Sequence, residues 1–172
     1  GIITGFARIN GYAVAIFAND SNFYAGSMSA EGAQKTTRFI KLCDTFNLPI
    51  VSLVDEPGFL IGPEAEKAGT ILHGTNAVLA TTESTVPWTT IMIRKSFGVA
   101  AAAHYGPDGY VLAWPSAESG PLPLEGGVAV AFKKEIAQSD DPEAKRKELE
   151  EKMAENQSPF PRAEAFSVHE II

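Results

Sequence analysis

Cysteine is nearly absent. Cys43 is the only one in 172 residues, so the chain can form no internal disulfide and no cysteine-based metal site. In the run Phe39-Ile40-Lys41-Leu42-Cys43 it reads as a small core residue, a common setting for a free thiol. Long apolar runs are missing too, and none approaches the ~18 uncharged residues of a membrane helix. Neither a secretory signal nor an Arg-rich transit segment is visible. The opening Gly1-Ile2-Ile3-Thr4 carries no methionine, which suggests an excised domain or a processed product. Basic charge is in deficit: 14 Lys and Arg stand against 21 Asp and Glu, for a formal charge of −7. That balance argues against non-specific nucleic-acid binding, which needs a basic footprint. Histidine is scarce, and His73, His104 and His169 have no nucleophile partner by spacing. There is no G-x-S-x-G elbow, H-E-x-x-H pair or Walker loop. No metal site is expected.

What is present is an ordinary globular composition, 45% hydrophobic and 20% charged, on a chain long enough for one domain with a real core. Tyr12–Ala18 reads as a short buried strand. Ser29 is a plausible N-cap, and Phe39, Ile40, Cys43 and Phe46 share one helix face. Asn47 and Pro49 end that helix. Ile50–Val54 is the next strand, and Asp55-Glu56-Pro57-Gly58-Phe59 makes a turn-rich loop at its C-terminal end. A second helix starts near Glu64 with Ile71, Leu72, Val78 and Leu79 as its apolar stripe; Gly69 and Gly74 weaken it, the usual reason for such glycines being close packing. Strands near Trp88–Ile93 and Tyr110–Trp114 flank an alanine-rich helix. Another helix opens at Glu125-Gly126-Gly127, and Asp141-Pro142 begins a polar one whose charges make a solvated face. The charged helix and tail occupy about 141–172. Strands alternating with helices mean α/β, with at least part of the sheet parallel.

With reactive side chains excluded, backbone donors remain. Arg94-Lys95-Ser96-Phe97-Gly98-Val99-Ala100-Ala101-Ala102-Ala103-His104 turns a strand through glycine into a small-residue helix. Such a turn points free N–H groups outward, and the helix dipole adds partial positive charge. A phosphate, a carboxylate or a thioester enolate would suit it. The plainer reading is a tightly packed helix in which alanine permits close approach. Ala25-Gly26 is a second turn between a strand and a helix. Two N–H groups converging from separate turns would make an oxyanion hole without a side chain, the base then coming from substrate or cofactor. Asp55 and Glu56 sit where α/β folds place ligands, although a loop-ordering role is the preferred reading. His73 is read as a structural hydrogen-bonding residue, and His104 as a cation suited to the negative end of the alanine helix.

Phe-Tyr-Ala-Gly at 23–26 resembles the crotonase-type turn that supplies one thioester oxyanion donor. Gly5-Phe6-Ala7-Arg8-Ile9-Asn10-Gly11, Arg38–Asp44, Phe46–Val51, Leu53–Leu60, His73-Gly74, Ile93–Gly98 and Ala113-Trp114-Pro115 together resemble the carboxyltransferase component of biotin-dependent acyl-CoA carboxylases, in the family's order from Gly5 to Val128. The resemblance is to its C-terminal crotonase-like domain. It implies a ClpP/crotonase-type α/β fold, a ββα superhelix forming a single domain, as the biotin-side half of a shared active site. It implies transfer of CO₂ from carboxybiotin to the α-carbon of an acyl-CoA, with the enolate held by backbone amides.

Carried over by position, the oxyanion donors fall on the turn Gly98, Val99 and Ala100. Substrate-binding positions are Ala25, Gly26, Pro57, Gly58, Phe59 and Ala102. Implied partners are an acyl-CoA, a biotin carboxyl carrier protein bearing the cofactor, the N-terminal carboxyltransferase domain and further copies of the chain; neither nucleic acid nor membrane is a partner. The expected setting is cytoplasmic, with the mitochondrial matrix as the alternative. The family more often has glycine where Val99 stands, an aspartate near Ala102 and Met-Gly at Leu122-Pro123. These departures suggest an unusual acyl substrate. Two alternatives stay open: a biotin-dependent acyl-CoA decarboxylase subunit, and a non-catalytic assembly domain.

Overall fold

The computed structural model describes residues 1–172, the side chain of Glu125 aside. Its centre is one sheet of seven strands in the order β1-β2-β3-β4-β5-β7, with β6 paired to β4. Strands β1 (Ile2–Ile9) and β2 (Tyr12–Asn19) form an antiparallel hairpin. Asn10 and Gly11 close it, both at positive φ (49° and 87°), the conformation a two-residue hairpin turn requires. The sequence reading placed no strand before Tyr12, so this hairpin is an addition.

From β2 onward the pairing is parallel. Helix α1 (Ala30–Thr45) returns the chain to β3 (Ile50–Glu56). Ser29 caps it as expected, its side chain accepting from Gly32 N. Phe39, Ile40 and Cys43 are buried, whereas Phe46 is 65% exposed because it lies past the last helical turn. Asn47 leaves the helix at φ 53°. The predicted second helix is divided at Gly69, which is left-handed, into α2 (Pro63–Lys67) and α3 (Thr70–Thr82).

The stripe expected on α3 is corrected. Ile71, Leu72 and Leu79 are exposed, and the buried face is Thr70, Gly74, Ala77, Ala80 and Thr81. The helix packs so close to α1 and the sheet that only small side chains fit between. A Cβ on Gly74 would lie 2.3 Å from the Phe59 ring, so its glycine serves close packing.

Strand β4 (Trp88–Phe97) runs four residues beyond its predicted end and feeds directly into α4 (Gly98–Ala102). Then come β5 (Tyr110–Ala113), β6 (Glu118–Gly120), α5 (Leu124–Ala131) and α6 (Lys133–Ala137). Asp141 caps α7 (Pro142–Gln157), which is mostly solvated but buries Leu149 and Gln157. Helix α8 (Pro159–Glu164) and strand β7 (Glu170–Ile171), paired to β5, complete the chain.

Alternation along the central strands sets the core. Ile50, Ser52, Val54 and Glu56 of β3 are buried, as are Trp88, Thr90 and Met92 of β4. They face α1, α3 and α4. Phe17, Met28, Ile40, Cys43 and Ala77 fill the space between. A smaller cluster of Met92, Ala113, Ala117 and Val168 ties in the C-terminal segment. No helix among the described residues is long and apolar enough to cross a membrane.

Candidate functional site

The C-terminal ends of β2, β3 and β4 lie side by side in parallel, and the singled-out turns follow them. This edge is where open α/β sheets usually bind ligands. At the end of β4, Gly98 turns the chain at φ 65°, and α4 begins with no side-chain cap. Among the described residues no carbonyl or side chain accepts from the N–H of Val99 or Ala100. A helix's first donors have no acceptor one turn back, so these two stay available. The residue before them must be left-handed to aim the turn, which glycine allows at little cost. With only five residues, α4 has a small dipole, and the donors themselves carry the electrostatics.

The C-terminal end of α4 is pinned. Trp88 Nε1 and Thr90 Oγ1 both donate to the His104 carbonyl at 2.8 Å, and Thr81 Oγ1 donates to the Ala103 carbonyl at 2.9 Å. Sheet and helix α3 thereby fix a helix too short to hold itself. His104 was expected to sit against the end of the alanine helix, and its ring instead turns into the core. It is wholly buried, stacked on Phe17 at 4.3 Å, with Nδ1 2.9 Å from Ser52 Oγ. The helix ends two residues before it, and that step carries its ring into the core.

A cavity of about 400 Å³ opens beside the turn, lined in part by Gly98, Ala101, Ala102, Tyr105, Ser119 and Arg162. Tyr105 Oη and Ser96 Oγ share a hydrogen bond of 2.7 Å on its wall. Burial pushes the Tyr105 phenol up, against the opposing pull of the Ser96 hydroxyl and the Arg162 charge. Arg162, Ser119 and Tyr105 were absent from the sequence-based site. Arg162 lies in Ser158-Pro159-Phe160-Pro161-Arg162, a segment whose local pattern gives no sign that it folds back under α4.

The second turn is arranged differently. Ala25 (φ 54°) and Gly26 (φ 95°) lie in a 3-10 turn, and Gly26 N–H donates to Phe23 O at 2.9 Å. That donor is engaged inside its own turn. A Cβ on Gly26 would stand 2.5 Å from the Asp55 carbonyl, which accounts for the glycine. Glu56, wholly buried, orders the neighbouring loop: Oε1 accepts from Met28 N at 3.2 Å and Gly58 N at 3.1 Å, and Oε2 from Asn19 Nδ2 at 2.9 Å. Asp55 pairs with Arg94 Nε at 2.9 Å, and this hydrogen bond raises the Arg94 pKa. Phe59 packs on Gly74 and bridges to Met28. None of Ala25, Gly26, Pro57, Gly58 and Phe59 lines the cavity of Gly98 and Ala102. His73 makes the expected structural contact, with Nε2 2.8 Å from Gln34 Nε2. Among the described residues no group of three His, Cys, Asp or Glu is placed to hold a metal ion.

This geometry can stabilise an oxygen that gains negative charge, and it offers no side-chain base at the α4 turn. The carboxyl transferase domain family matches residues 1–172. The chain is 40% identical over 176 residues to the carboxyltransferase subunit of a propionyl-CoA carboxylase from Haloferax mediterranei, covering 99% of this chain and 34% of that protein. It is equally 40% identical to the alpha subunit of a methylmalonyl-CoA decarboxylase from Propionigenium modestum, with the same 99% and 34% coverage. The solved transcarboxylase 12S structure, a hexamer assembly with methylmalonyl-coenzyme A and methylmalonic acid bound, superposes at a TM-score of 0.93 and 39% identity over 99% of this chain and 34% of that one. The chain thus spans about one third of the length of these relatives. Its sheet, with helices packed on one face, is a crotonase-like fold.

Proposed function

Because this chain belongs to the carboxyl transferase domain family, we propose that it is the C-terminal, carrier-facing domain of a carboxyltransferase that moves CO₂ from carboxybiotin to the α-carbon of an acyl-CoA. The observation that carries the reading is the pair of unengaged amides on Val99 and Ala100, opened by the left-handed Gly98. These N–H groups hold a thioester or ureido oxygen as negative charge develops on it, without reorganising at that moment. The alanine side chains around them contribute no proton-transferring group. The chain itself therefore orients and stabilises, and positioning is its second contribution. Biotin, when bound, supplies the carried CO₂ and the basic ureido nitrogen. The free donors of Val99 and Ala100 suit the carbonyl of such a group, while the neighbouring cavity of Met92, Gly98, Ala101 and Ala102 does not include those two residues. Completion of the site by an N-terminal domain and by further copies belongs to the same proposal.

The test is carboxyl transfer by the full-length protein between its carboxylated carrier and a panel of acyl-CoAs, read by mass spectrometry of the thioesters. A carboxylated acyl-CoA is the expected product. Carboxyl flow only from a carboxyacyl-CoA to the carrier would establish the decarboxylase direction instead. A folded protein that transfers nothing in either direction would leave an assembly role. Residues 1–172 alone are expected to be inactive until an N-terminal domain is added.

A further inference from the structure

Ser52 and Glu56 of β3 face His104, which follows α4, and all three side chains are wholly buried. Ser52 Oγ lies 2.9 Å from His104 Nδ1, and Glu56 Oε2 lies 3.8 Å from His104 Nε2. The second separation is too long for a hydrogen bond, and among the described residues Nε2 has no other partner. A buried polar atom left in this way calls for an explanation.

A hydroxyl, an imidazole and a carboxylate in series can activate a nucleophile. Here they do not, because Ser52 has no exposed surface for a substrate to reach. The tautomer of His104 gives the series another use. With the ring proton on Nδ1, the Nε2 lone pair would face a carboxylate, acceptor against acceptor. With the proton on Nε2, an N–H faces Glu56 and Nδ1 accepts from the Ser52 hydroxyl, so both neighbours are suited. Glu56 is held in turn by Met28 N, Gly58 N and Asn19 Nδ2, which makes it a fixed reference for the ring.

We propose that His104, as the Nε2–H tautomer, is a positioning residue for the amides of Val99 and Ala100. Its carbonyl fixes the end of α4 to β4, and its ring sets the rotation of that end against β3. Helix α4 has only five residues, so a tilt at one end reaches the donors at the other. The inference rests on the reading of those amides as oxyanion donors and adds what aims them.

Two variants separate aiming from packing. His104→Phe keeps a ring to stack on Phe17 but has no nitrogen, whereas His104→Gln gives up the ring and keeps an N–H₂ to point at Glu56. In carboxyl transfer by the full-length protein, His104→Phe lowers kcat roughly 10–10²-fold with KM changed less than about twofold, and His104→Gln keeps more of kcat. Solid-state NMR of the full-length protein with isotope-labelled histidines shows the Nε2–H tautomer, assigned by the signal lost in His104→Phe. Full kcat in a folded His104→Phe, the reverse order of the two variants, or an Nδ1–H or doubly protonated ring overturns the inference. If the unmodified protein transfers nothing, the carboxyltransferase reading is at fault, and amide exchange across residues 98–105 decides the aiming. Faster exchange in His104→Phe than in His104→Gln then supports it, and equal exchange overturns it. Should either variant fail to fold, Ser52→Ala takes its place: a lowered kcat and a shifted His104 nitrogen signal support the inference, and an unchanged kcat overturns it.

Discussion

Glu56 and His104 are both wholly buried, and 3.8 Å separates Oε2 of one from Nε2 of the other. They join the two turns that follow β3 and β4. Glu56 accepts from the backbone at Met28 and Gly58, and the carbonyl of His104 is held by β4. Replacing Glu56 with Gln puts an amide N–H₂ against either those two N–H groups or the Asn19 amide. Such a donor-to-donor conflict in the core costs about 1–3 kcal/mol. Urea denaturation should show that loss, with faster amide exchange at Met28 and Gly58. Unchanged exchange at both would mean that the carboxylate does not order the loop.

Val99→Pro removes one N–H and also presses its ring on the left-handed Gly98 before it, so stability is measured beside activity. Val99 is the second residue of α4, its side chain is exposed, and proline is tolerated in a helix's first turn. Loss of one preorganised donor lowers kcat roughly 10²–10³-fold, or about 2.7–4 kcal/mol. Carboxyl transfer by the full-length variant, beside its melting curve, checks this. A variant with full activity and normal stability would exclude the Val99 amide from the reaction.

Much of this was legible in the sequence, for identifiable reasons. Strand alternation and the Ser29 cap are local signals, so β2 to β5 and α1 fall where expected. The Gly98 turn was legible because glycine at a strand end followed by alanines has few structural solutions. Asn10-Gly11 is an equally local hairpin signal that the sequence reading left unused, so the β1–β2 hairpin came only with the structure. The α3 stripe misled because periodicity marks apolar residues and not the width of the gap they must enter; close packing against α1 selects Gly74, Ala77 and Ala80. His104 misled because helix length decided its direction. Arg162 was out of reach: its contact with Ser119 spans 43 positions, and no local pattern encodes it.

Alkaline pH should destabilise the fold through buried acids. Burial pushes the Cys43 thiol up to about 11, whereas an unfolded thiol titrates near ~8.5. The folded chain therefore keeps a proton that the unfolded chain has already lost. Stability is constant below the unfolded value and falls as pH rises from there toward the folded one. The Tyr105 phenol, also raised, extends the loss above the ordinary tyrosine range. Melting temperatures between neutral pH and pH ~11 should fall less steeply for Cys43→Ala, which itself costs roughly 1 kcal/mol at neutral pH. Parallel curves for the two proteins would show that Cys43 titrates in the fold as it does in water.

Gly74→Ala separates packing from propensity. In an exposed helix interior the change stabilises by roughly 0.5–1 kcal/mol. Here the new methyl would meet the Phe59 ring at 2.3 Å, and Phe59 is itself held through the bridge to Met28. The ring has to move or the helix has to shift, so a net loss of about 1–3 kcal/mol is expected. Phe59→Leu costs stability alone but should recover part of the loss when combined with Gly74→Ala, because the smaller side chain makes room. A double-mutant cycle by urea denaturation measures that coupling. Additive losses would mean that Phe59 swings clear of α3, and the loop ordered by Glu56 would then be free to move with it.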